Sequence, residues 1–110
     1  MASRAPSASV RDIENQTRRI LRPVNLFKLT RTAANALTDL RQVLSDARIY
    51  TQDYELSETR EEQMENATKA KQYLESARRD ILTASEYNIF NAVDVAQMTA
   101  QIDQIISDLK

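Results

Sequence analysis

The 110-residue chain contains no glycine, cysteine, histidine or tryptophan. Without glycine, neither a Walker A loop nor a GxGxxG turn can bring the backbone close to a phosphate group. Without cysteine and histidine, the usual zinc sites, Ser-His-Asp triads and Cys-His pairs cannot be built. Tight two-residue hairpins are also disfavoured, because they require Asn-Gly, Asp-Gly or Gly-X. The composition therefore excludes the commonest phosphate-binding, metal-binding and nucleophilic sites.

The residues that are present describe a small globular domain. Hydrophobic residues make up 42% of the chain and charged residues 28%, a composition typical of folded proteins. The first nine residues contain no apolar segment of the kind found in signal peptides. No stretch approaches the roughly 18 apolar residues needed to span a bilayer. We expect a soluble, cytoplasmic protein with no membrane span.

Charge is distributed unevenly along the chain. The total is −1, but residues 1–50 contain nine basic and four acidic side chains, whereas residues 51–110 contain six basic and twelve acidic ones. The first part therefore has a net charge of +5 and the second −6. This asymmetry favours antiparallel or head-to-tail contact between the two parts, in one chain or between chains.

A first short helix is predicted over residues 9–22, after a flexible N-terminal arm over residues 1–8. Ser9 is a good N-cap, and Pro23 stops the helix near Leu21. Between these limits, Val10, Ile13, Thr17 and Leu21 recur at helical spacing, which predicts one buried face.

Two long helices are predicted next, over residues 26–53 and 58–86. Apolar residues recur at steps of three and four from Leu26 to Tyr54, which is the period of a coiled coil and not of a strand. Asn25 can cap the first of these helices, and Ser57 or Thr59 can cap the second, where Thr59 with Glu62 matches a capping box. Long helices joined by a short link form an antiparallel hairpin.

The fourth helix is predicted over residues 94–109, with Asp94 as its cap. It follows a segment with two asparagines, and asparagine is the residue next to glycine in its tolerance of the left-handed conformation. Asn88 or Asn91 is therefore expected to end the preceding helix or turn the chain. Residues 9–110 are predicted to form a single helical domain.

The predicted fold class is all-α, a long antiparallel hairpin with a short helix at each end, in a small four-helix bundle of coiled-coil type. The short helices precede and follow the same end of the hairpin, so we expect both at this base. Residues 41–70 would then project as a bare two-helix tip. In the alternative, the short helices lie along the full hairpin and leave little exposed.

A bare tip would present a surface for a partner protein or a second copy. The residues expected on that surface are Val43, Leu44, Tyr50, Tyr54, Leu56 and Met64. Tyrosines at the edge of a bundle often contribute interface energy. They can equally well plug the ends of the bundle, and the pattern does not separate the two interpretations.

A basic row on the first helix consists of Arg11, Arg18 and Arg22, with Arg19 nearby. Such a row can contact an acidic protein surface or the phosphates of a nucleic acid. Protein pairing is favoured, because aromatic residues are absent there apart from Phe27, which we interpret as a packing residue. A membrane-surface helix is a weaker interpretation, because the helix is short and lacks tryptophan.

The acidic residues do not indicate catalysis or metal binding. Glu58, Glu61, Glu62 and Glu65 stand near the start of the third helix, where the helix dipole stabilises negative charge. Calcium loops require a glycine, and di-iron bundles require histidine. The remaining acids, including Asp39 and Asp80, flank the apolar stripes. We therefore predict no catalytic residue, no metal, no cofactor and no small-molecule substrate.

The sequence favours a non-catalytic protein–protein interaction module, such as a small helical adaptor, assembly factor or structural subunit. Its partner would be another protein or, in a homo-oligomer, a second copy. The main alternative is a nucleic-acid-associated helical protein that uses the arm and the first helix, and an enzyme comes third. No motif is specific enough to indicate a family.

Overall fold

The computed structural model describes residues 4–109, and within this range it contains four α-helices, one 3-10 turn and no strand. This confirms the predicted all-α fold class of a small helical bundle. The helices are α1 (Pro6–Leu21), α2 (Arg31–Leu56), α3 (Arg60–Glu86) and α4 (Ala92–Asp108), and the 3-10 turn is Leu26–Lys28.

Helix α1 begins earlier than predicted. Pro6 occupies its first turn, where a missing N–H costs no hydrogen bond and the fixed φ angle suits a helix. Ala5 stands at the N-cap and makes no side-chain capping hydrogen bond. Residues 6–8, which we assigned to the flexible arm, are therefore helical, and residues 1–3 of that arm lie outside the described residues.

The prediction that Asn25 caps the long helix α2 is wrong. Its side chain accepts a hydrogen bond from Phe27 N at 3.0 Å, which caps the 3-10 turn instead. The chain is extended again at Leu29, and α2 starts only where Thr30 Oγ1 accepts from Ala33 N at 3.2 Å. Two capping residues five positions apart compete here, and the second one starts the helix.

The caps of α3 agree with the sequence. Thr59 Oγ1 accepts from Glu62 N at 3.1 Å, so α3 begins at Arg60 after a link of three residues. At the other end Asn88 has φ 60°, as expected of a left-handed cap in a chain without glycine. The N–H groups of Asn88 and Ile89 donate to the carbonyls of Ser85 and Ala84, the pattern of a Schellman motif.

Helix α4 begins two residues earlier than predicted. Asn91, and not Asp94, is its N-cap: the Asn91 side chain accepts from Asp94 N at 2.8 Å. Asp94 instead lies in the first helical turn, where its charge favours the helix dipole.

The four helices pack in an up-down-up-down order. Helices α2 and α3 form the long hairpin, α1 packs on α2 and α4, and α4 packs on α3 and α1. Helices α1 and α3 are therefore diagonal to each other. The shared core is closed by fully buried aliphatic side chains from every helix, among them Ile13, Leu40, Leu74, Ile81 and Ile102.

The two short helices are staggered along the hairpin, and the expectation that both sit at its base is wrong for α1. The Ser7 N–H and hydroxyl donate to the Glu55 carboxylate at 2.8 and 2.6 Å, and Arg48 Nε donates to Glu14 at 2.8 Å. These contacts place α1 antiparallel to the second half of α2, up to the hairpin tip. The segment between α1 and α2 is long enough to return the chain from mid-hairpin to the base.

Helix α4 covers only part of α3. It follows α3 directly and runs back along it, as the Arg78–Asp103 ion pair at 3.1 Å shows. At 1.5 Å per residue, its 17 residues span about 25 Å, whereas the 27 residues of α3 span about 40 Å. Residues 60–69 of α3 consequently extend beyond α4, and Ala67 is the single buried residue among them. We call the exposed side of residues 60–69 the open face.

Candidate interaction surfaces

The structure divides the predicted partner-binding residues into three groups. Val43 and Leu44 are 7% and 1% exposed, so they belong to the core. The expectation that these two residues face a partner does not hold in this fold. Tyr50 and Tyr54 are partly buried against the core. Leu56 and Met64 are 78% and 53% exposed, and they lie at the tip beside the open face.

Tyr50 forms part of an aromatic contact between α2 and α3. Its ring stacks on that of Tyr73, with centroids 5.5 Å apart and planes at 11°. Lys69 Nζ lies 5.3 Å from the centre of the Tyr50 ring, within the range of a cation–π contact. This arrangement gives Tyr50 a role in holding the hairpin together, and the sequence did not point to Tyr73 or Lys69 as its partners.

A groove between α1 and α2 is lined by arginines from both helices. Adjoining cavities of about 270 and 330 Å³ are bordered by Arg11 and Arg18 of α1 and by Arg41 and Arg48 of α2, and Glu14 of α1 borders both cavities. We call this the basic groove. Its first two arginines were predicted as a row on one helix, but the two from α2 were missed. The sequence did contain a signal for them: Arg41 and Arg48 are seven residues apart, as Arg11 and Arg18 are, and this spacing places them on one side of α2.

Not all of the basic charge in the groove is neutralised by neighbouring acids. Among residues 4–109, the ion pairs are Arg4–Asp12, Arg48–Glu14 and Arg78–Asp103. Of the groove arginines, only Arg48 is therefore paired with a carboxylate within the described residues. Arg11, Arg18 and Arg41 are exposed. Arg19 and Arg22, the other members of the predicted row, are exposed but do not line these cavities.

The basic groove continues into an apolar end near the 3-10 turn. A cavity of about 310 Å³ there is lined by Leu26, Leu37, Thr38, Arg41 and Gln42. Phe27, beside Leu26, is fully exposed, so our interpretation of it as a packing residue is wrong. Leu26 and Leu29 take the inward positions of this turn and pack against the core, which leaves Phe27 facing solvent.

A group of glutamates in the second part of the chain stands near the start of α3. Glu58, Glu61, Glu62 and Glu65 are all exposed, and none of them forms an ion pair within residues 4–109. In the same range, no group of three or more acidic, cysteine or histidine side chains converges to hold a metal ion. The open face thus presents the unpaired glutamates of α3 and exposed Met64, with the exposed cations Arg60 and Lys69 at its two ends, and exposed Leu56 lies beside it at the tip.

A carboxyl pair at the α2–α3 interface was not predicted. Asp80 Oδ2 is buried, and no hydrogen bond from the described residues reaches it. Burial raises the pKa of Asp80 to about 7. The hydrogen bond that Asp80 and Asp39 form once one of them is protonated, and the charge repulsion between them when both are ionised, raise it further, while Arg79 opposes the rise. Two ionised carboxylates offer each other only acceptor atoms, and one shared proton turns the contact into a hydrogen bond.

None of the helices in the described part of the chain is both long and apolar enough to cross a bilayer. Comparison with known proteins found no matching family model, no matching curated protein and no matching solved structure.

Proposed function

We propose that this chain is a non-catalytic protein–protein interaction module, a small helical adaptor, assembly factor or structural subunit. The observation that supports this function is the open face of α3. A ten-residue stretch of helix with one buried residue gains little from packing in its own chain, and most helical stability in proteins comes from tertiary packing. A partner that packs on this stretch would supply the missing burial.

Exposed apolar side chains at the tip support the same function. Leu56 ends α2 and Met64 lies in the second turn of α3, and both are more than half exposed. Methionine adapts its shape to a partner surface, and apolar residues surrounded by charge are common in protein interfaces. The neighbouring glutamates would steer a basic partner surface towards the tip.

The proposed function is tested by expressing the tagged chain in its native cell and measuring the mass and stoichiometry of its complex. We expect the wild-type chain to be recovered with a stoichiometric protein or with further copies of itself. A variant with Leu56→Glu and Met64→Glu should lose that complex. Leu82→Glu is the matched control, because Leu82 is also exposed on α3 but lies outside the open face. Recovery of the wild type as a lone monomer contradicts the proposal.

Nucleic-acid association is the second candidate, and the basic groove is the observation that favours it. Arg11, Arg18 and Arg41 could contact successive phosphates along a backbone. In that case a gel shift at low salt should weaken as salt is added, and replacing Arg11, Arg18 and Arg41 with alanine should abolish it. The absence of any shift at low salt rules this candidate out.

A further inference from the structure

We propose that the basic groove of one copy receives the acidic open face of a second copy of this chain. This inference rests on the proposed function and names its partner. The open face of one copy would bind the groove of the other, and the glutamate carboxylates of that face would pair with the unpaired arginines of the groove.

The first argument is that these charges cannot neutralise each other within one chain. Helix α1 forms one wall of the groove and is diagonal to α3 in the bundle, with α2 and α4 between them. The ion pairs of the described residues include none of Glu61, Glu62 and Glu65, and none of Arg11, Arg18 and Arg41. Each copy therefore presents both a basic surface and an acidic one, and a second copy would bring the two together.

The second argument is one of dimensions. Glu61 and Glu65 are one helical turn apart, so their carboxylates form a ridge about 6 Å long. Arg11 and Arg18 are separated by about 10.5 Å along α1, with Arg41 on the opposite wall. The acidic ridge therefore fits within the length of the basic wall, and each carboxylate comes within reach of a long guanidinium side chain.

Apolar residues flank the charges on both surfaces. Met64 lies on the open face next to the glutamates, and Leu56 lies at the tip. The groove ends at Leu26, and the next residue along the chain, Phe27, is fully exposed. Surface ion pairs alone contribute little, so this apolar contact supplies the burial that a stable complex requires. A two-fold pair of copies contains the groove-to-face contact twice and is closed, which prevents growth into a filament.

A charge-exchange experiment tests the inference by light scattering. One variant has an inverted groove, with Arg11→Glu and Arg18→Glu, and a second has an inverted face, with Glu61→Arg and Glu65→Arg. We expect the wild type to scatter as a dimer and each variant alone to scatter as a monomer, because like charges then meet at both contacts. An equimolar mixture of the two variants should recover the dimer, because both of its contacts pair opposite charges.

Matched controls separate this effect from a general change of charge. Arg19→Glu lies on α1 outside the groove, and Glu75→Arg lies on α3 beyond the open face, and both residues are exposed. Both controls should remain dimeric. Circular dichroism establishes that the variants fold, and recovery of the dimer in the mixture shows independently that they retain their surfaces.

Three outcomes overturn the inference: a monomeric wild type, dimeric single variants, or a mixture that stays monomeric. If the wild type is monomeric but the Leu56→Glu, Met64→Glu variant loses another protein, the proposed function stands and only the second copy is excluded as partner. If a monomeric wild type shifts an oligonucleotide and the inverted groove abolishes that shift, the groove belongs to a nucleic acid.

Discussion

At the scale of single residues, Asp80 shows what heptad patterns leave out. The sequence places Asp39 and Asp80 beside Leu40 and Ile81, at positions that flank the buried stripes. Residues at flanking positions are solvated in an isolated helix. Where two helices pack together, however, the flanking residues of one helix can contact those of the other. The pairing depends on the register between α2 and α3, and no local pattern specifies which flanking residues come together.

The carboxyl pair predicts a pH dependence of stability. Because the pKa of Asp80 is raised from 3.8 to about 7 in the folded chain, the folded state binds more protons than the unfolded state between these values. The contribution of this group to the free energy of unfolding is therefore complete below pH 4 and is lost as the pH rises through 7. Allowing for solvent screening at this half-buried site, the loss is on the order of 1 kcal/mol.

Urea unfolding of wild type and Asp80→Asn at pH 5 and pH 8 measures this dependence. The asparagine cannot ionise and can donate a hydrogen bond to Asp39, so the variant should be more stable than wild type at pH 8, and this difference should be smaller at pH 5. The control Asp53→Asn changes an exposed aspartate on α2 and should leave the difference between the two pH values unchanged. An Asp80→Asn variant with the wild-type pH dependence would contradict this role for Asp80.

At the scale of helices, the search for residues that replace glycine located the turns of the chain more accurately than it located the first residue of each helix. Asn88 or Asn91 was predicted to adopt the left-handed conformation, and Asn88 does. Ser57 or Thr59 was predicted to cap α3, and Thr59 does. The prediction that Asn25 starts α2 failed because Thr30, five residues later, is also a good cap. The local sequence does not show which of two such candidate caps starts the helix.

Mutations of Asn88 test directly whether asparagine takes the place of glycine at this left-handed helix cap. Asn88→Gly should retain or increase the stability of the chain, by up to about 1 kcal/mol, because glycine adopts positive φ without a steric penalty. Asn88→Ala should lose about 1 kcal/mol for the same reason. Thermal or urea unfolding measures both changes.

Asn35→Gly is the control for that pair, because Asn35 is exposed within the regular helix α2. There glycine should destabilise the chain, since it has greater backbone freedom in the unfolded state. If Asn88→Gly lowered stability as much as Asn35→Gly does, the left-handed conformation of Asn88 would not be the reason for its presence.

At the scale of the whole molecule, the number and order of helices could be predicted from the sequence, but their stagger could not. The predicted bare tip assumed that a short helix stays at the end of the hairpin to which it is connected. The contacts of Ser7 with Glu55 and of Glu14 with Arg48 show that α1 instead reaches the tip. Where a short helix lies along a longer one depends on side-chain packing between distant parts of the chain.

That stagger creates the features on which the functional proposal depends. It places α1 over Leu44, it leaves the exposed stretch on α3, and it brings Arg41 and Arg48 of α2 next to Arg18 of α1. The sequence could show the arginine row of α1 and the glutamates of α3 separately. Only the packing shows that the arginines form a groove and that the glutamates lie diagonally away from it.

The contact between groove and open face is tested most directly by chemical crosslinking, because the chain has no cysteine of its own. Asn15 lines the groove, and Thr68 is exposed on the open face, and neither is charged. When Asn15→Cys and Thr68→Cys chains are mixed and treated with a short bismaleimide, we predict a crosslinked species that contains one chain of each kind. Crosslinking no greater than that of Asn15→Cys mixed with Ser107→Cys, an exposed position on α4, would contradict the proposed contact.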